Sequence, residues 1–121
     1  MSDKPEIDFP GGEPPTELQT SDVVVGEGPE AVAGAQVLVH YVGVDFESGE
    51  EFDSSWNRGE PLRFPLQGLI QGWQDGIPGM RVGGRRLLVI PPHLGYGRQG
   101  AGADIGPDET LVFAIDLVAA R

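Results

Sequence analysis

The chain contains no cysteine. Disulfides, thiolate nucleophiles and cysteine-based metal sites are therefore excluded. Histidine is scarce too: His40 and His93 are the only two, so no His-rich metal-binding tract can form. Positive charge is also limited. Seven Arg and the single Lys4 face nineteen acidic side chains, for a net charge of −11. That balance argues against nucleic acid or an anionic membrane as the main partner and reads as a solubility feature. No apolar run approaches the length that spans a bilayer. The N-terminal MSDKPEIDFPGGEPP is acidic and lacks the apolar centre of a signal peptide. These absences lead us to expect a cytoplasmic protein with no nucleic-acid and no membrane partner; we also expect a monomer.

What is present fits one small domain preceded by an arm. A chain of 121 residues that is 39% hydrophobic has material for a single core. Residues 1–17 are rich in Pro and Gly. Through Asp22 the chain carries six acids against Lys4. Such a segment cannot offset its ordering entropy by burial of its own. It is expected to be an extended arm, with Ile7 and Phe9 able to dock on the domain at 18–121.

The domain reads mostly as strands. Short strands are predicted at Val23 to Val25, Gln36 to Val44, Glu51 to Ser54, Leu62 to Leu66, Arg85 to Ile90 and Thr110 to Val118. The second and last alternate cleanly, with Val37, Val39 and Tyr41 on one face and Leu111, Phe113, Ile115 and Leu117 on another. Pro61 and Pro65 confine the fourth to an edge. Leu87 and Val89 make the fifth apolar on both faces, which calls for cover by the arm or a partner. The segment GLIQGWQDGIPGM carries apolar residues at helical spacing, predicting one amphipathic helix from Leu69 to about Ile77. It also carries Gly68, Gly72 and Gly76, each costing a helix interior about 1 kcal/mol against Ala. The pattern is α+β: a curved antiparallel sheet of five to six strands wrapped around one short α-helix. In that arrangement the glycines give clearance for close packing. Gly72→Leu is then expected to damage fold and site, and Gln74→Leu to spare both.

No catalytic constellation of the usual kind is visible. There is no G-x-S-x-G and no phosphate-binding loop. The Gly95-x-Gly97-x-x-Gly100 spacing lacks the strand-to-helix context of a dinucleotide fingerprint. The remaining candidates are aromatics from separate elements: Tyr41, Phe52, Phe64, Trp73, Tyr96 and Phe113. Read from residue type alone, they are better explained as the core of a small domain than as a binding pocket.

The motifs EEFDSSWNRGEP, LIQGWQDGIPGM, VGGRR, IPPHLGYG and ETLVF occur in that order. Together, from about Val23 to the C-terminus, they resemble the FKBP-type peptidyl-prolyl cis–trans isomerases, the immunophilins that bind tacrolimus and rapamycin. The resemblance implies that Xaa-Pro-containing polypeptides are substrates, macrolides are ligands, and no cofactor or metal is needed. It makes Trp73 the pocket floor, with Tyr41, Phe52 and Phe113 as aromatic walls. Leu69 and Ile70 would line the entrance, and the Ile70 N–H would donate to a ligand carbonyl. The Tyr96 hydroxyl would reach another carbonyl. Asp53 would sit beside the pocket, held by Arg58 and the Tyr41 hydroxyl, and Leu62 and Ile105 would add apolar contacts. Ala101, Asp104 and Gly106 depart from the family pattern. Asp104 would weaken binding of acidic substrates and macrolides, and Gly106 would loosen its loop. The loop has no room for an inserted chaperone domain. An isomerase is therefore weighed against a proline-recognising, chaperone-like module of weak activity and against a purely structural domain.

Overall fold

The computed structural model describes residues 4–7, 12–102 and 105–121. Phe9 and Asp104, both given roles above, lie outside the described residues. The chain forms β1 (Gln19–Val24), β2 (Gln36–Asp45), β3 (Glu51–Ser54), β4 (Leu62–Pro65), α1 (Gln71–Gly76), β5 (Arg85–Ile90) and β6 (Leu111–Ala120). The six strands make one sheet in the order β1-β5-β6-β2-β3, with β4 also paired to β2. Every pairing is antiparallel. The α+β architecture expected from the sequence is observed.

Several element boundaries differ from expectation, and the differences at β1 and at the helix start have physical reasons. β1 begins at Gln19 and excludes Val25, and all six of its residues are exposed. It is an edge strand held by backbone pairing to β5, with Gln19 opposite Val89 and Thr20 opposite Leu88. No alternation of apolar residues could mark such a strand. The helix starts at Gln71, two residues later than expected. Gly68 belongs to a 3₁₀ turn (Leu66–Gly68), and Leu69 and Ile70 are extended before α1 begins. The apolar stripe therefore spans a turn, an extended pair and a short helix. All of it packs inward, which is why the periodicity looked continuous.

The inner sheet face supplies the core. Val37, Val39 and Tyr41 of β2, Leu88 and Ile90 of β5, and Leu111, Phe113, Ile115 and Leu117 of β6 are buried against Leu66, Trp73 and Ile77. Full burial of one such aliphatic side chain contributes about 1.5–3 kcal/mol. Clearance by glycine holds at two of the three positions in question. A Cβ on Gly72 would lie 2.6 Å from the side chain of Ile90, and one on Gly76 would lie 2.8 Å from that of Leu88. A Cβ on Gly68 would meet only Pro65 Cγ, at 3.7 Å, so that glycine gives no clearance.

The outer face is apolar in its centre. Register aligns Leu87–Ala114–Val42 and Val89–Val112–Val44 across β5, β6 and β2, beside the row Arg85–Asp116–His40. Arg85 grips the buried Asp116 with two bonds of 2.5 and 2.7 Å. Residues 4–7 of the arm share a depression with Val42, Val44 and Glu51. Leu87 and Val89 lie in a different shallow groove, with Gln19, Thr20 and Ser21.

Candidate active site

One edge of β2 serves two partners. Its first half, Gln36 to Val39, pairs with β4, and Val42 to Val44 pairs with β3. Ser55 fills the gap between them. Its N–H donates to the Tyr41 carbonyl at 2.9 Å, and its Oγ accepts the Tyr41 N–H at 2.7 Å. His40 Nδ1 lies 2.9 Å from the same Oγ, and its ring stacks on Trp56 with centroids 3.9 Å apart. These contacts fix the backbone from which the Tyr41 side chain projects.

Beside this split lies a cavity of about 200 Å³ lined by Tyr41, Phe52, Asp53, Phe64, Leu69, Ile70, Trp73, Tyr96 and Phe113. Trp73 is the hub of its aromatic packing. Tyr41, Phe64 and Phe113 meet it edge-on, with centroids 5.2, 5.9 and 5.2 Å away. Phe52 meets Phe113 in the same way at 5.4 Å. Such edge-to-face pairs add about 0.5–1.5 kcal/mol beyond burial and hold each ring in one orientation. The core and pocket readings of the aromatics thus coincide: Trp73 and Phe113 are buried and also line the cavity. The Trp73 indole N–H is buried without a partner among the described residues.

The polar rim has one network. The Tyr41 hydroxyl donates to Asp53 Oδ2 at 2.6 Å and accepts from the Arg58 guanidinium at 2.7 Å. Arg58 also donates to Asp53 Oδ1 at 3.1 Å. Burial, reinforced by the hydrogen bond to Asp53 and its charge, pushes the Tyr41 phenol up to about 12, with Arg58 opposing. Burial and the Asp53 charge also raise the Tyr96 phenol. Both hydroxyls therefore stay protonated at neutral pH, Tyr41 held by Asp53 and Tyr96 free to act as a donor.

The expected residues fall into two groups. Tyr41, Phe52, Asp53, Leu69, Ile70, Trp73, Tyr96 and Phe113 line the cavity together, and Arg58 joins them through its bonds. Leu62 is half-buried against the core, and Ile105 is buried where its backbone pairs with Ala101; neither lines the cavity. Three further residues matter. Phe64, a candidate aromatic to which the family resemblance gave no role, also lines the cavity. Gly43 leaves the room that Phe52 and Phe113 occupy: a Cβ there would lie 2.6 and 2.7 Å from their rings. Gln74 is not a bystander, contrary to expectation. Its side-chain amide donates to the Leu69 carbonyl at 2.7 Å and so ties the cavity mouth to the helix. Periodicity placed Gln74 off the buried stripe but could not show that an amide there reaches back to a carbonyl.

The geometry has counterparts among known proteins. The family model for FKBP-type peptidyl-prolyl cis-trans isomerase matches residues 28–118. A "Probable FK506-binding protein" of Corynebacterium glutamicum is 60% identical over 118 residues, covering 98% of this chain and 99% of that protein. An "FK506-binding protein" of Streptomyces anulatus is 60% identical over 120 residues, covering 97% of each. The crystal structure of AtFKBP13 superposes with a TM-score of 0.79 at 43% identity, covering 88% of this chain and 95% of that one. An aromatic cavity between a split sheet edge and a single helix, on a sequence matched over nearly its whole length, leads to one conclusion: the chain belongs to the FKBP-type peptidyl-prolyl cis–trans isomerase family.

Proposed function

We propose that this chain accelerates rotation about Xaa-Pro bonds in folding polypeptides by holding the twisted amide, without covalent chemistry, in the cavity around Trp73. The observation that carries this reading is a cavity walled by aromatic and aliphatic side chains with few polar groups at its rim. Rotation about a peptide bond is opposed by about 18–20 kcal/mol of amide resonance. At Xaa-Pro the two isomers are nearly equal in energy, yet they exchange in about tens to hundreds of seconds. A twisted amide has lost resonance and carries less charge separation than a planar one. An apolar enclosure thus disfavours the planar ground state more than the transition state. Hydrogen bonds that fit only the twisted geometry add differential binding, and each 1.4 kcal/mol or so gained is about tenfold in rate.

In this reading Trp73 is the floor under the prolyl ring, with Tyr41, Phe52, Phe64 and Phe113 around it. The Ile70 N–H and the Tyr96 hydroxyl donate to substrate carbonyls. The Asp53–Arg58–Tyr41 network holds the rim in place. Tacrolimus (FK506), which the names of the relatives say those proteins bind, would occupy the same cavity, and so would rapamycin.

The test is an isomerisation assay on an Xaa-Pro peptide with several residues before Pro, run with and without tacrolimus. The expected result is acceleration that tacrolimus abolishes and that Tyr96→Phe with Phe113→Leu strongly reduces. A well-folded protein giving no acceleration would sink the proposal. Acceleration that survives the double substitution would sink the site assignment.

A further inference from the structure

The pocket wall between residues 51 and 58 is gripped at both ends from outside the cavity. Phe52 and Asp53 line the cavity, and Arg58 reaches back to Asp53 and Tyr41. The residues that flank these groups, Glu51 and Asn57, do not line it. They bond one another, Asn57 Nδ2 donating to Glu51 Oε2 at 2.9 Å. Both are also held by Lys4. Its ammonium lies 2.6 Å from Glu51 Oε1 and donates to Asn57 Oδ1 at 3.0 Å.

Lys4 is the chain's single lysine, and it stands in a segment whose composition alone predicts a loose arm. The residues after it are seated as well. Pro5, Glu6 and Ile7 share a depression with Glu51 and with Val42 and Val44 of β2, and Val42 is 2% exposed. The family match begins only at residue 28, yet the matches to the Corynebacterium and Streptomyces proteins cover 98% and 97% of this chain and so extend into the arm.

We propose that Lys4 is a positioning residue of the active site: its ammonium ties Glu51 to Asn57 and so fixes both ends of the segment that carries Phe52, Asp53 and Arg58. Each tie acts one residue away from a pocket group, so it constrains the backbone from which that group projects. Lys4 also neutralises Glu51 two residues from Asp53, leaving Arg58 to serve Asp53 and Tyr41. Loss of Lys4 leaves Glu51 and Asn57 joined by their amide bond alone, beside the Arg58–Asp53 pair.

This inference rests on the cavity being the substrate site, so the experiment tests the two separately. The full chain and its Lys4→Ala and Lys4→Arg variants are compared in kcat and KM for an Xaa-Pro peptide, in tacrolimus affinity, and in thermal midpoint. Lys4→Ala should raise KM and the tacrolimus Kd about threefold, within what an exposed charge pair can hold. Its thermal midpoint should fall by no more than a few degrees, and Lys4→Arg should recover most of the affinity. Parent values of KM and Kd in Lys4→Ala would overturn the role. So would a loss that Lys4→Arg fails to recover. Failure of the cavity assignment looks different: isomerisation by the parent would then be indifferent to tacrolimus and to the Tyr96→Phe, Phe113→Leu double change.

Discussion

Gly72→Ala sets two effects of known sign against each other. Replacing a helical Gly by Ala gains about 1 kcal/mol of helix propensity. Against that, the new Cβ would lie 2.6, 2.7 and 2.8 Å from Cγ2, Cδ1 and Cγ1 of Ile90. Carbon atoms normally meet at about 3.5–4.0 Å, so roughly 1 Å must be found. Ile90 is fully buried and paired through β5 to Leu111. Its branched Cβ makes χ1 stiff, and all three clashing atoms belong to it, so a rotamer change in one terminal methyl cannot relieve the contact. Overpacking of this kind costs about 1–3 kcal/mol. We expect packing to win, with a net loss of up to about 2 kcal/mol, or up to about 8 °C in thermal midpoint for a domain this size. Gly76→Ala should cost less, because its close contacts at 2.8 and 2.9 Å are the terminal methyls of Leu88. Gly68→Ala should be neutral or slightly stabilising, with only Pro65 Cγ nearby. Urea unfolding followed by tryptophan fluorescence measures all three, and the m-value should stay constant. Adding Ile90→Ala, which alone costs about 2–5 kcal/mol as a cavity, should give a Gly72→Ala double variant more stable than the sum predicts, by about 1 kcal/mol. A Gly72→Ala protein as stable as the parent, or more so, would refute the clearance argument.

Three further outcomes follow from the rim and walls. In Tyr41→Phe, the stability lost relative to the parent should be pH-dependent. Folding favours the protonated phenol, whose value rises from 10.0 to about 12 on burial beside Asp53. That contribution is complete below about pH 10 and disappears as pH climbs through the folded value, so the gap between parent and variant should narrow by about 2–3 kcal/mol. A gap that stays constant across paired denaturant titrations up to about pH 12 would remove the shift. Gln74→Leu should lower stability by about 0.5–1.5 kcal/mol through the lost bond to the Leu69 carbonyl, and calorimetry should show weaker tacrolimus binding; parent-like affinity would restore the view of Gln74 as a bystander. Gly43→Ala should push Phe52 or Phe113 out of its edge-on contact and weaken ligand binding about tenfold or more, since about 1.4 kcal/mol is tenfold in affinity.

Several features were legible because side-chain periodicity reports directly on which face is buried. The alternation in Gln36 to Val44 placed Val37, Val39 and Tyr41 on the inner face, where all three are buried. The alternation in β6 did the same for Leu111, Phe113, Ile115 and Leu117. Other features depend on partners that no single segment reveals. The edge strand β1 carries six exposed residues and is defined by its backbone bonds to β5, with the Arg86–Asp22 pair beside them. The helix start shifted because buried apolar residues continue through a 3₁₀ turn and an extended pair, and periodicity cannot tell a helix from a path that happens to face inward. Ile105 shows the reverse problem: its apolar character was correctly noted, but it is spent on the core and not on the cavity.

Gly43 marks the limit of such reading most clearly. In QVLVHYVGV it reads as a weak point in an otherwise strong strand, and a glycine inside a strand ordinarily costs stability. Here the missing side chain is the space in which Phe52 and Phe113 meet edge to face. The same holds for Gly72 beneath Ile90, one residue before the Trp73 floor. Each glycine lowers local propensity where a large side chain from another element must approach the backbone. Gly43 makes room for two walls of the cavity, and Gly72 makes room for a core residue against the helix that carries Trp73. A local defect of propensity that survives inside a strong apolar pattern is therefore evidence for close approach by a distant element. At Gly43 that element carries the wall of the site itself.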